Sequence, residues 1–230
     1  MNSRRHYGLM GTTAVAILAF AGASVLMGAA KPPKERKDRK DEDKSKSALK
    51  VGDKAPEFRL KDTDGKEHSL SEYTKAGKVV VLEWFNPGCP FIKLHHVKQT
   101  TMNDLVKDFR EKNVVFLAIN STNSEHPDHG RDAEAKKDWK MEYPILSDAN
   151  GKTGHAYGAR TTPHMFVVDK EGRIAYMGAM DNDPRNEKTA DAEKPEDRKV
   201  NYVRAALTEL LAGGKVSKSE TKSYGCGVKY

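Results

Sequence analysis

From Val51 onward, apolar and polar positions fall into patterns that predict strands and helices in alternation. Residues 56–60 alternate, Asp64-Gly65 is a hairpin-turn signal, and residues 67–70 lead into a short helix. Residues 78–84 (KVVVLEW) form a continuous apolar run of strand length, the type buried on both faces of a sheet. A Pro/Gly-rich turn, 85–90, follows. Between 91 and 110, Ile92, Leu94, Val97, Met102, Leu105, Val106 and Phe109 recur with helical spacing, broken by polar residues 99–101. Residues 113–120 (NVVFLAIN) predict a second buried strand, 133–139 a helix, 144–146 a short strand and 154–157 a helical turn. Residues 165–169 and 173–177 form a hairpin around Lys170-Glu171-Gly172, and 201–211 form a closing helix that stops at Gly213-Gly214. This order predicts an α/β fold: a central mixed sheet with helices on both faces and an N-terminal hairpin extension.

The remainder of the chain is organised differently. Residues 1–30 carry Arg4 and Arg5 and then 23 uncharged residues from Gly8, a pattern that predicts a signal peptide, cleaved, or a signal anchor, retained. Either reading puts the rest outside the cytoplasm (bacterial periplasm or secreted, or anchored to the inner membrane), where disulfides persist. Residues 31–50 hold nine basic and five acidic residues with almost no apolar side chain, which predicts a charged disordered linker. The folded domain is expected over 51–213, with a mobile insertion at 181–199, and a C-terminal tail over 214–230.

Composition narrows the function. The chain has 230 residues and a formal net charge of +7, but residues 51–230 hold 29 basic and 28 acidic side chains, so charge does not support a nucleic-acid partner. Two cysteines in 230 residues exclude a disulfide-stapled scaffold and a four-cysteine zinc site in one chain.

Cys89 is the first of the two, set between a buried strand and a helix. Pro90 suits the first helical position, where a missing N–H costs nothing. A thiol there faces unpaired amides, an environment that favours the nucleophilic thiolate. Cys226 lies between Gly225 and Gly227 near the end of the chain, which predicts a mobile, accessible thiol suited to exchange. It is the candidate resolving cysteine, within the chain or across a homodimer; the alternative is a bystander thiol on the tail.

Residues 79–93 (VVVLEWFNPGCPFIK), with Thr162-Pro163 just before the strand at 165–169, resemble the thioredoxin superfamily, and in particular its redoxin branch of alkyl hydroperoxide reductase/thiol-specific antioxidant proteins. The resemblance covers most of 51–180 and implies a thioredoxin-like fold, a cis bond at Pro163, and a Thr162 backbone set against Cys89 and a bound substrate. It implies thiol redox chemistry with no cofactor. It also implies peroxide reduction through Cys89, with an external dithiol restoring the reduced state. Glu83 matches the superfamily's acidic residue beneath the active cysteine and is a candidate proton relay, or else an exposed carboxylate at a strand end.

Four positions depart from the family. Ile92 stands where a C-x-x-C motif has its second cysteine, so a local dithiol is ruled out. Leu82 and Asn86 stand where peroxiredoxins have Pro and Thr/Ser, leaving Asn86 as a candidate donor to a peroxide oxygen. Pro163 occupies the place of the peroxiredoxin arginine, with Arg160 nearby but not matched. His164 is a candidate to bias Cys89 toward thiolate, or else a surface residue; His95, His96 and the remaining histidines read as ordinary loop or cap residues. Lys93 and Lys98 read as a solvated face. Two alternatives accompany peroxide reduction: thiol–disulfide exchange on protein disulfides, and a non-catalytic metal-binding or assembly protein on the same fold.

Overall fold

The computed structural model describes residues 48–189 and 191–230. The predicted leader and nearly all of the predicted linker lie outside them. Among the described residues, no helix is long and apolar enough to cross a membrane.

The fold begins with a two-stranded ribbon, β1 (Arg59–Lys61) and β2 (Glu67–Ser69), followed by α1 (Leu70–Lys75). The central sheet holds β3 (Val79–Trp84), β4 (Val114–Asn120), β5 (Ile145–Ser147), β7 (Met165–Val168) and β8 (Ile174–Gly178), in the order β5-β4-β3-β7-β8. The pairs β3–β4 and β4–β5 are parallel, and β3–β7 and β7–β8 antiparallel, so the sheet is mixed as the sequence predicts. Between β7 and β3 in the chain lie α2 (Pro90–Lys93), α3 (Thr101–Phe109), α4 (Asp132–Asp138), α5 (Lys152–Tyr157) and the two-residue strand β6 (Thr161–Thr162). After β8 come α6 (Tyr202–Leu211) and a second two-residue strand, β9 (Cys226–Gly227).

Strand alternation sorts the core into two layers. Val79, Val81, Met165 and Val167 face one side, where they pack with Ile92, Leu105, Phe109, Val203 and Leu207 from α2, α3 and α6. Val80, Leu82, Trp84, Phe166 and Val168 face the other, with Leu70 of α1 and Tyr157 of α5. A sheet covered on both sides explains why β3 reads as an unbroken apolar run.

The segment after Cys89 differs from the expected regular helix. Residues Leu94–Lys98 are wound as a π-helical turn, and the Gln99 amide donates to the Leu94 carbonyl at 2.8 Å. The inward face that starts at Ile92 continues at i+3 and i+4 to His95 and His96, which are both buried, while Val97 is 56% exposed. The histidines expected in ordinary cap positions are therefore core residues. The segment 181–199 also departs from a simple surface loop at its start: Asp181 and Asp183 are buried, with Lys199 Nζ 3.4 and 3.5 Å from their carboxylates.

Candidate active site

The turn between β3 and α2 is built by Asn86. Its Oδ1 accepts from the Gly88 amide (2.7 Å), its carbonyl accepts from the Cys89 amide (3.1 Å), and its Nδ2 donates to Thr122 Oγ1 (2.9 Å). Both ends of the side chain are engaged and buried, so Asn86 is a scaffold of the turn and not the free donor expected from its sequence position. The loop carrying Asp128 closes on this turn so tightly that a Cβ at Gly88 would lie 2.0 Å from the Asp128 carboxylate.

Cys89 caps α2 in an extended conformation, with Pro90 in the first turn as predicted. Its side chain is directed across the sheet's end to the segment before β7. The Thr162–Pro163 peptide is cis, and Cys89 Sγ donates to the Thr162 carbonyl at 2.9 Å. The residue is 3% exposed.

Cys226 is brought to the same place by a pairing that no local pattern predicts. β9 lies antiparallel to β6, with Cys226 opposite Thr162 and Gly227 opposite Thr161. The Val228 amide donates to the Arg160 carbonyl (3.2 Å), and Thr162 Oγ1 to the Cys226 carbonyl (3.4 Å). Gly225 has φ +132°, and a Cβ there would lie 2.2 Å from the Thr162 carbonyl oxygen, so glycine is what lets the tail come this close. The tail expected to be free is a docked strand, and Cys226 packs against the cluster that contains Cys89. Partial burial, followed by the neighbouring Cys89 sulfur, pushes the Cys226 thiol up to about 11. Cys226 therefore carries its proton at neutral pH. Both cysteines are free thiols here.

Glu83 lies fully buried at the end of β3, which removes the exposed strand-end reading. Its carboxylate accepts from His96 Nε2 (3.0 and 3.2 Å) and from the Tyr143 hydroxyl (2.9 Å). His96 Nδ1 has no partner, which assigns the ring proton to Nε2. Burial, followed by Glu83, holds the Tyr143 phenol well above its ordinary value. His95 Nε2 donates to the Tyr224 hydroxyl (2.9 Å), which in turn donates to Asp181. The i+3 and i+4 spacing from Ile92 is the sequence signal that points to both histidines as inward-facing.

His164 does not serve as the expected cationic neighbour. It packs on Phe166 at 4.5 Å, on the sheet face away from Cys89's cluster, and its Nδ1 accepts from the Arg160 amide (3.3 Å). Burial, with the Arg160 charge second, depresses it to about 4, so it is neutral at pH 7. Arg160 enters the site through its backbone, and its side chain is exposed. Among the described residues, no group of three or more His, Cys, Asp or Glu converges as a metal ion requires.

The arrangement brings two neighbouring sulfurs to the Thr162 backbone, one buried and one carried on a docked strand. Known proteins share the frame. The thiol–disulfide oxidoreductase ResA of Geobacillus thermodenitrificans is 31% identical over 129 residues, covering 56% of this chain and 69% of that protein. The ResA of Bacillus subtilis is 27% identical over 129 residues, covering 56% and 67%. Among solved structures, a hypothetical protein of Sinorhizobium meliloti superposes with a TM-score of 0.69 at 26% identity, over 80% of this chain and 96% of the other. An uncharacterized conserved protein of Geobacillus kaustophilus gives 0.67 at 28% identity, over 79% and 93%. The Redoxin family model matches residues 50–194, more than half of the sequence, and the chain belongs to the Redoxin family of thioredoxin-like oxidoreductases.

Proposed function

We propose that the protein is an extracytoplasmic thiol–disulfide oxidoreductase whose redox pair is Cys89 and Cys226 of the same chain. The observation that carries this reading is the pairing of Cys226 with Thr162, whose carbonyl is the hydrogen-bond partner of Cys89 Sγ. The pairing replaces the missing local C-x-x-C partner and makes a homodimer unnecessary for joining the two thiols. Export is supported by the uncharged run after Arg4 and Arg5 and by a redox pair that must survive oxidised.

The chemistry is two successive displacements. Cys89 first gives up the proton it donates to the Thr162 carbonyl, and the resulting thiolate attacks one sulfur of a client disulfide; the client S–S bond breaks, one client sulfur leaves as a thiolate and takes up a proton, and Cys89 is joined to the other client sulfur. Cys226 then gives up its proton and attacks Cys89 Sγ, releasing the second client thiolate and closing a Cys89–Cys226 disulfide. An external dithiol returns two electrons and reopens the pair.

Peroxide reduction through the same pair is the second reading. The burial of Cys89 favours it, because a small oxidant needs less opening than a protein. In that cycle the peroxide O–O bond breaks on Cys89, and the sulfenic acid loses water as Cys226 attacks. Asn86 is engaged with Thr122 and Gly88, and the Arg160 side chain is exposed, so neither is placed to donate to a departing oxygen, and exchange is preferred.

Single-turnover reaction with a disulfide-linked peptide tests the assignment. Wild type should release both client thiols and gain an internal disulfide. Cys226→Ser should stall with the peptide attached at Cys89, and Cys89→Ser should not react. Peroxide consumption at a rate exceeding peptide exchange would select the second reading.

A further inference from the structure

The last residues of the chain form a strap fastened on both sides of Cys226. Upstream, residues 219–221 run beside β8: the Met177 amide donates to the Ser219 carbonyl (3.0 Å), and the Thr221 amide to the Met177 carbonyl (3.1 Å). Thr221 Oγ1 sits 2.6 Å from the Tyr176 hydroxyl and accepts from the Ala179 amide (2.9 Å). Tyr224 then joins the strap to His95 and Asp181 beneath it. Downstream, Asn123 holds the terminus with both its groups: its amide donates to the Lys229 carbonyl (2.8 Å) and its Nδ2 to the Tyr230 oxygen (2.8 Å). The Tyr230 ring stacks on His155 at 4.0 Å, and its hydroxyl donates to the Ala159 carbonyl (2.9 Å). The ring lies so close to α5 that a Cβ at Gly154 would be 2.5 Å from the Tyr230 hydroxyl.

Between these fastenings, β9 takes up the hydrogen-bonding edge of β6 next to the cis peptide. An extended segment of another protein needs such an edge to dock by strand addition. Here the edge beside Cys89 is in use, and Cys89 itself is 3% exposed. Strap and client therefore compete for one place.

We propose that β9 is an intramolecular occupant of the edge on which a client segment meets Cys89. The strap must release before Cys89 can exchange with a protein disulfide, and must return before Cys226 can resolve the mixed disulfide. The grip of Tyr230, Asn123 and Tyr224 sets the balance: a tighter strap slows the first displacement, and a lost strap abolishes the second, because the local concentration of Cys226 at Cys89 depends on it. Small disulfides, which need no edge, are gated less than peptides. This inference rests on the Cys89–Cys226 reading above, and its test separates the two.

The experiment uses the full chain carrying Cys226→Ser, so that Cys89 is the single thiol and the mixed disulfide accumulates. Tyr230→Ala removes the ring stack and the bond to Ala159; independently, Gly225→Ala places a methyl group 2.2 Å from the Thr162 carbonyl oxygen. Added to Cys226→Ser, each should raise the rate of mixed-disulfide formation with an extended peptide disulfide by about tenfold, the worth of one such stack or bond in an opening equilibrium. The rate with a small aromatic disulfide should rise by a smaller factor. Circular dichroism checks folding, and if one variant fails to fold the other decides. A peptide rate unchanged or lowered in the folded variants overturns the strap proposal. A wild-type chain that never forms the Cys89–Cys226 disulfide overturns the underlying reading instead, and leaves the strap rates interpretable by themselves.

Discussion

Glu83→Ala should be among the most destabilising single substitutions in the domain. The carboxylate is 0% exposed and is the acceptor for two buried donors, His96 Nε2 and the Tyr143 hydroxyl. Its removal strands both donors where water does not reach, at about 1–3 kcal/mol each, and leaves a small cavity against His96 and Tyr143. The expected loss is about 3–5 kcal/mol, as for breaking other buried polar pairs, against a total stability of roughly 5–15 kcal/mol. Glu83→Gln keeps one acceptor oxygen but turns an amide toward the other donor, and should cost about 1–2 kcal/mol. Equilibrium urea unfolding reads both as a lower midpoint at unchanged slope. Tyr143→Phe removes one stranded donor, so in the Glu83→Ala background it should cost about 1–2 kcal/mol less than it does alone. A Glu83→Ala loss below about 1 kcal/mol, or strict additivity in the cycle, would refute the idea of a mutually satisfied buried triad.

Other consequences are equally direct. The Cys226 thiol sits at about 11 through burial and the adjacent Cys89 sulfur, so its alkylation should climb until about that pH, and Cys89→Ser should move the midpoint down; an unmoved midpoint removes Cys89 as a cause. Because the folded chain holds that proton more tightly than the unfolded one, this group's stabilisation is present below about pH 9 and is lost as pH rises through about 11. His164 runs the other way: depressed from 6.5 to about 4, it supports the fold above pH 6.5 and withdraws that support as pH falls through about 4, a slope that His164→Gln should flatten in acid-unfolding curves. Asp148 accepts from Ser121 Oγ (2.6 Å) and from the Thr153 and Gly154 amides (3.0 and 2.9 Å), so Asp148→Ala should cost about 3 kcal/mol in urea unfolding. The same change should loosen Tyr230, whose ring rests on α5, and raise amide hydrogen exchange at Val228.

Much of this architecture is legible along the chain because it rests on long, regular patterns. β3 and β4 are apolar runs whose burial on both faces leaves no alternation to misread, and the hairpin of β7 and β8 is marked by Gly172. The Cys89-Pro90 turn and the Thr162-Pro163 step carry their own local chemistry, and the structure joins them as the resemblance implies. The tail is another matter. β6 and β9 are two residues each and lie 64 positions apart at Thr162 and Cys226, too short for a period and too distant for a turn signal. Its glycines read as freedom, yet Gly225 serves a close approach to the Thr162 carbonyl. His95 and His96 were hidden by their polarity: the helix period through Ile92 runs inward to them, and the widened turn at Leu94–Lys98 leaves apolar Val97 outside. Charge likewise misled at Asp181 and Asp183, which are buried against the Lys199 ammonium, with Asp181 Oδ1 and both Asp183 oxygens also accepting hydrogen bonds.

The central claim is that two thiols of one chain form the working pair. It is tested most directly by non-reducing peptide mass mapping of the monomer after one equivalent of a disulfide oxidant. The account predicts a single internal link between the peptides bearing Cys89 and Cys226, with no change in oligomeric mass and full reversal by a dithiol. Oxidant found only as a stable adduct on one cysteine, or a link joining two chains, would contradict it.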